Sequence, residues 1–170
     1  MRGEFPSTIR LPWTEMEPIR LGSVPMTFGT PDRFVIVEDD NGPLLRIDLY
    51  GSSEVCCVFE ALQFWSGLIA LGWGHHLYLL EPESRDAVVL DLGNYFGQLF
   101  PGDDYLLVAS AERLFRVQPD GTTLWTSDCL GIDGVIVDEV TNGIIHGDGE
   151  WDPPGGWRPF RLSLETGQSV

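Results

Sequence analysis

The feature that most constrains this chain is a β-hairpin pattern that recurs along it. From Thr27 onward, short runs of strand-forming residues alternate with turn chemistry. The clearest runs are Arg33–Val37, Leu44–Tyr50, Glu54–Glu60, Gly67–Leu71, His76–Leu80 and Ala87–Leu92, then Tyr105–Ala109, Arg113–Gln118, Thr122–Thr126, Gly134–Val137, Gly143–His146 and Pro159–Leu164. Arg33–Leu49 superposes on His76–Leu92 without a gap. Phe34-Val35-Ile36-Val37 then falls on Leu77-Tyr78-Leu79-Leu80, and Ile47-Asp48-Leu49 on Leu90-Asp91-Leu92. His76–Pro82 superposes in turn on Arg113–Pro119. A fourth copy spans Gly143–Gln168, with Phe160–Gly167 as its second arm and Gly149–Arg158 swelling the hairpin loop. Units of ~35–45 residues have the size of a propeller blade.

The turns between runs are explicit: Asp39-Asp40-Asn41-Gly42, Pro101-Gly102-Asp103-Asp104, Pro119-Asp120-Gly121 and Thr141-Asn142-Gly143. Asn-Gly and Asp-Gly supply the positive φ angles of tight hairpins. Leu45-Arg46-Ile47-Asp48-Leu49 and Phe160-Arg161-Leu162-Ser163-Leu164 alternate apolar with polar, as half-buried antiparallel strands do. The one helix candidate, Val58–Trp65, reads equally as a strand followed by a turn. Residues 1–26 carry Pro6, Pro12, Pro18 and Pro25, which discourage helix and predict an extended N-terminal arm packed through Ile9, Leu11 and Trp13. The expected organisation is that arm followed by one repeat domain over 27–170.

Two segments carry a family resemblance. Arg113–Trp125 keeps the spacing from Gly121 to Trp125, and Phe160–Gly167 keeps the stretch from aromatic residue to glycine. Both resemble the blade repeat of quinoprotein-type (PQQ-like) and WD-repeat-like propellers, in which an aromatic-Ala-Leu-Asp run leads to Thr-Gly and then a Trp. Gln118 and Ser163 stand where that repeat has its Asp. The resemblance covers roughly residues 27–170 and implies an all-β fold of antiparallel, propeller-like blades. It does not imply the quinone, which needs a larger closed ring. With about four short units, a closed small propeller, an open half-propeller and a dimer of half-propellers are all compatible with the pattern.

Charge narrows the partners. Of the 170 residues, 26 are acidic and 10 basic, a net charge of −16. Every basic residue is arginine, so Schiff-base lysine chemistry and a phosphate-loop lysine are excluded. Such a field repels nucleic acid and anionic membranes, attracts basic proteins, and favours a monomer or at most a dimer. The three cysteines, Cys56, Cys57 and Cys129, suit neither a disulfide framework nor a CxxC metal site. Free thiols, no signal-like run near the start and no stretch of ~18 apolar residues lead to a cytoplasmic expectation.

Catalytic patterns are missing: there is no Gly-x-Ser-x-Gly elbow, and Gly72-Trp73-Gly74 lacks the rest of a dinucleotide fingerprint. His75, His76 and His146 read as structural residues, because neighbours on a strand face opposite ways. The acidic loops at Glu38–Gly42, Asp103-Asp104 and Asp148–Asp152 hold the oxygen donors calcium takes, without an EF-hand spacing. They read as solvated turns, so no cofactor or metal is expected. The most unusual segment is Gly147–Pro159, rich in Trp, Pro, Gly and charge. It reads as a cap on the last blade or as a binding loop, since Trp and Arg dominate interface hot spots. The expected partner-binding residues are Asp148, Glu150, Trp151, Asp152, Trp157 and Arg158, with Trp73 at the same rim. The functional expectation is a non-catalytic acidic module that binds a basic protein, in its sharpest form a bacterial immunity protein neutralising a cationic toxin. The alternatives are a self-associating structural repeat protein and a small-ligand or metal-binding propeller-like protein.

Overall fold

The computed structural model describes residues 1–26, 29–51, 59–151 and 155–170. The fold is all-β, with a single 3-10 turn at Trp13–Glu15 as its helical element among these residues. Four sheets of three or four strands account for the rest, and no pairing joins one sheet to another among the described residues. The chain divides into two compact units, Met1–Cys56 with Pro82–Arg85, and Cys57–Glu81 with Asp86–Val170.

The first unit holds one sheet. Its strands are β1 (Arg2–Glu4), β2 (Ile19–Gly22), β3 (Arg33–Asp39) and β4 (Gly42–Tyr50). The β3–β4 hairpin is central; β1 runs antiparallel along β3 and β2 runs parallel along β4. Two stretches of the proline-rich N-terminal segment are thus hydrogen-bonded edge strands. On one sheet face lie Phe34, Ile36, Arg46 and Asp48, paired across the hairpin. Arg46 grips the buried carboxylate of Asp48 with two bonds of 2.8 Å and donates to the Trp13 carbonyl at 3.3 Å. Its guanidinium also lies over the Phe34 ring. The fork of arginine matches a carboxylate bidentately, which makes burial of the pair tolerable. The segment carrying Trp13 therefore covers this face of the sheet, while Leu11 stays exposed.

The second unit is three successive meanders. The first is β5 (Glu60–Trp65), β6 (Leu68–Trp73), β7 (His76–Leu80) and β8 (Ala87–Asp91); the second is β9 (Phe96–Pro101), β10 (Leu106–Ser110), β11 (Leu114–Val117) and β12 (Thr123–Thr126). The third is β13 (Val135–Thr141), β14 (Ile144–Trp151) and β15 (Gly156–Ser163), followed by a lone Leu162–Ser169 bridge in the fourth-strand position. Glu60–Trp65, the ambiguous helix candidate, is a strand; most of the run read at 54–60 lies outside the described residues. Phe96–Pro101 is a strand that the sequence pattern concealed behind Gly97 and Pro101.

Alternation along β10 explains the core. Leu106 and Val108 pack with Ala70, Leu77 and Leu79 of the first meander. Leu107 and Ala109 point the other way, into a cluster with Val135, Val137, Ile145 and Leu162 of the third. The middle sheet is covered on both faces, so its central strand reads as an unbroken apolar run. Side chains also stitch neighbouring sheets. Trp65 Nε1 donates to the Gly102 carbonyl at 3.1 Å, and Trp125 Nε1 to the Leu164 carbonyl at 3.0 Å. Gln98 on β9 forms a two-way amide bridge to the backbone of Val137 on β13, accepting at 2.7 Å and donating at 3.2 Å.

The repeats hold in part. The register that carries His76 onto Arg113 also carries the cross-strand pair Leu79–Val88 onto Arg116–Trp125. The superposition of Arg33–Leu49 on His76–Leu92 is different: it matches a central hairpin, β3–β4, with an edge hairpin, β7–β8. Hairpin chemistry repeats there, but the position within the sheet does not.

Candidate functional site

In a meander, alternate turns fall at the same end of the sheet. The turns β6–β7, β10–β11 and β14–β15 therefore share one end of the second unit with the connections β8–β9 and β12–β13. Backbone bonds tie these segments together. Leu92 N donates to the His75 carbonyl and Phe96 N to that of Gly74, at 2.9 and 2.7 Å. One sheet further on, Ala111 N donates to the Tyr95 carbonyl at 3.0 Å and Leu130 N to that of Glu112 at 2.8 Å. Tyr95 Oη donates to the Asp133 carboxylate at 2.7 Å, and Ile132 N to the Glu150 carbonyl at 2.7 Å. Gly149 permits the last approach: a Cβ there would meet the Leu130 carbonyl oxygen at 1.8 Å.

The segment expected to form a swollen loop is mostly ladder. β14 and β15 stay paired from Ile144↔Ser163 out to Trp151↔Gly156. Residues on paired strands share a face when directly opposite, so the register sorts the expected binding residues. Trp157 sits opposite Glu150, and Pro159 opposite Asp148, which is itself opposite Ile136. These side chains lie on the face pointing away from the Val135–Leu162 core cluster. Gly149 and Arg158 form the neighbouring pair on the core-facing side, with Trp151, whose ring lies under the Arg158 guanidinium. The grouping of Trp151, Trp157 and Arg158 as one patch is therefore divided by strand alternation. Asp152 lies outside the described residues. Trp73 closes the β6–β7 turn, paired with His76, at the same end of the unit but in a different sheet.

The outward face of the third sheet combines apolar and acidic groups. Trp157 is 49% exposed and Ile136 38%. Around them are Asp148, Glu150 and Glu139, with Arg161 opposite His146 as the cation. Ile136 belongs to β13, whose outward contribution the sequence pattern did not single out; period-two alternation in Val135–Val137 was the signal available.

A second feature lies at the same end. A cavity of about 270 Å³ opens between the β8–β9 connection and the β10–β11 turn, lined by Asp91, Asn94, Glu112 and Arg113 over Leu92, Ser110 and Phe115. Asn94 donates to Glu112 Oε1 at 3.1 Å, Gly93 N to Asp91 Oδ1 at 2.8 Å, and Arg113 Nη1 to the Ser127 carbonyl at 2.9 Å. No motif in the sequence marked this place, because its residues come from two connections that only sheet stacking brings together.

Several acidic turns have work of their own. Asp39 accepts from Asn41 N at 2.7 Å and Asp120 from Thr122 N at 2.8 Å. Both carboxyls are held below their ordinary pKa by those backbone donors. Among the described residues, no three His, Cys, Asp or Glu side chains converge as a metal-holding group. Cys129 is a free, exposed thiol near the Gly131 carbonyl, and Cys56 and Cys57 lie outside the described residues. No helix among the described residues is long and apolar enough to cross a membrane.

No protein-family model matches the chain, and no curated protein matches it. Its fold is similar to a solved structure, the WD40 domain of Pan2 from Neurospora crassa, with a TM-score of 0.52 and 17% identity. The match covers 78% of this chain and 44% of that one, so the chain spans less than half the length of its structural neighbour. The likeness bears on the fold: stacked blades of a WD-repeat-like propeller.

Proposed function

We propose that this chain is a non-catalytic protein-binding module that docks a basic protein on the outward face of its third sheet. The carrying observation is Trp157, half exposed and directly opposite Glu150 in the ladder, beside Asp148 and Ile136. An aromatic anchor with carboxylates around it is the composition of a hot spot with a charged rim. A net charge of −16 would steer a cationic partner toward it. The Leu162–Ser169 bridge and Pro159 make strand-to-strand addition at β15 a poor alternative, so docking is face-on. In its sharpest form the partner is a cationic toxin, such as a nuclease, and the chain is its immunity protein.

The test is affinity capture from the source cell at low salt, repeated with a Trp157→Ala, Asp148→Arg, Glu150→Arg variant. The reading expects one basic protein, released by salt and absent from the variant capture. Equal capture by both, or none by the wild type, would sink it. For the immunity form, co-expression must relieve toxicity of the captured protein.

A further inference from the structure

The first meander ends on an open edge. Leu92 N donates to the His75 carbonyl, and the Asp86 carbonyl accepts from Glu81 N, each at 2.9 Å. The β7–β8 ladder runs without a register shift between them. Asp86, Val88, Leu90 and Leu92 therefore turn their backbone groups toward β7, and Ala87, Val89 and Asp91 turn theirs away. β8 is the last strand of its sheet, so those outward groups meet no strand among the described residues. The side chains beside them are apolar and half exposed, Val88 at 46% and Val89 at 52%.

The closing edges of the other two meanders are blunted. β12 is four residues long and slips register against β11. β15 carries Pro159 and is capped by the Leu162–Ser169 bridge. β8 has no proline, no arginine and no bulge, and Asp91 is its one charged residue. Such an edge is a template for another strand.

We propose that β8 pairs antiparallel with β8 of a second copy of this chain, about a twofold axis at Val89. That register sets Val89 opposite its own copy, Val88 opposite Leu90 of the second copy, and Ala87 opposite its Asp91. Every outward residue then falls in a pair that exchanges both backbone bonds. Apolar side chains meet along the centre, and no carboxylate faces a carboxylate. Moving the axis to Asp91 would set two carboxylates face to face and leave Ala87 unpaired. A basic protein drawn by charge finds little to hold on this strand, whereas a second copy matches it in length, polarity and side chains. Two five-residue strands cover less than the ~1,200 Å² of a stable interface, so the dimer is weak and reversible. Two chains of charge −16 also repel, and salt therefore strengthens this pairing, the reverse of its effect on a basic partner. The pairing stands apart from the docking reading, and it would present two Trp157 faces at once.

The test is sedimentation equilibrium of the full chain from ~10 μM to ~1 mM, at ~50 and ~500 mM salt. The mass should rise with concentration from one chain toward two, with association about three- to tenfold tighter at the higher salt. Val89→Pro removes one outward N–H and spares the β7 ladder, so it should stay a monomer. Val89→Lys keeps that N–H but sets like charges face to face, and should weaken pairing at least tenfold. Leu124→Lys makes the same charge change on β12 and should dimerise like the wild type. Amide exchange locates the contact whatever the variants do. Val89 N–H should slow in proportion to the dimer fraction, while Val88 N–H, already bonded to β7, keeps its rate. A mass of one chain throughout overturns the proposal. So does a dimer that salt dissociates, that Val89→Lys leaves intact, or that forms without protecting Val89.

Discussion

The indole of Trp125 occupies the space where a side chain on Gly167 would be: a Cβ there would meet the ring at 2.5 Å. Trp125 is on the fourth strand of the middle meander and Gly167 in the turn after β15. The same relation appears one sheet earlier, where Val88 of β8 fills the space over Gly121. An outer-strand side chain of one sheet thus seats against a turn glycine of the next, and both glycines have positive φ. Trp125, four residues after Gly121, thus seats not on that glycine but on Gly167 of the next sheet.

Gly167→Ala should therefore destabilise the second unit by about 2–4 kcal/mol, combining a left-handed φ with a steric clash. Trp125→Ala should cost a similar amount through lost packing and the lost bond to the Leu164 carbonyl. The double variant should lose clearly less than the sum, since removing the ring removes the clash. Urea unfolding of the three variants measures this; strict additivity would mean the two residues do not couple.

Tyr78 gives the alkaline behaviour. It is 1% exposed, and its hydroxyl has no hydrogen-bond partner among the described residues. Burial pushes its pKa up to about 12 from an ordinary value of 10. Above pH 10 the unfolded chain releases this proton first, so the unfolded state gains. Stability should be full below pH 10 and fall by about 2–3 kcal/mol as pH rises toward 12. Tyr78→Phe should flatten that fall and cost little at neutral pH, because the lost hydroxyl was unsatisfied. Denaturant midpoints between pH 9 and 12 decide it.

Pro159 guards an edge. Arg161 O accepts from Val170 N at 3.1 Å, and Ser163 N donates to the Gln168 carbonyl, so both residues turn their backbone away from β14. Pro159 has the same parity and faces outward with no N–H to offer. Pro159→Val should create a pairing edge and raise the solution mass with concentration, read by sedimentation. A variant that sediments like the wild type at every concentration would show that the edge is protected otherwise.

Gln98 substitutes for a missing strand pair between β9 and β13. Gln98→Ala should cost about 1–3 kcal/mol by leaving both backbone groups of buried Val137 unsatisfied. Gln98→Glu should be worse at neutral pH, where a carboxylate faces the Val137 carbonyl, and should recover as the carboxyl is protonated in acid. A Gln98→Glu stability that ignores pH would count against the bridge.

Strand existence was legible because alternation and turn chemistry agree in most hairpins, as at Leu45–Leu49 and Asn142–Gly143. Phe96–Pro101 was hidden because Gly97 and Pro101 read as turn punctuation inside the strand. The ladder at Gly149–Trp151 was hidden for the same kind of reason: Gly and Pro there serve close packing and edge protection, yet read as loop. Trp157, Asp148 and Glu150 were found by composition alone. Which face each would take needed the register, and the cavity needed two connections brought together by stacked sheets.

The first sheet is assembled against the order of synthesis. Arg2 meets Glu38 and Ile19 meets Ile47, so both edge strands leave the ribosome before the hairpin they flank exists. The meanders of the second unit pair each strand with the one just made. A ribosome-stalling series should therefore show the first sheet becoming resistant to proteolysis in a single step once Tyr50 has emerged, and protection then growing hairpin by hairpin after Glu60.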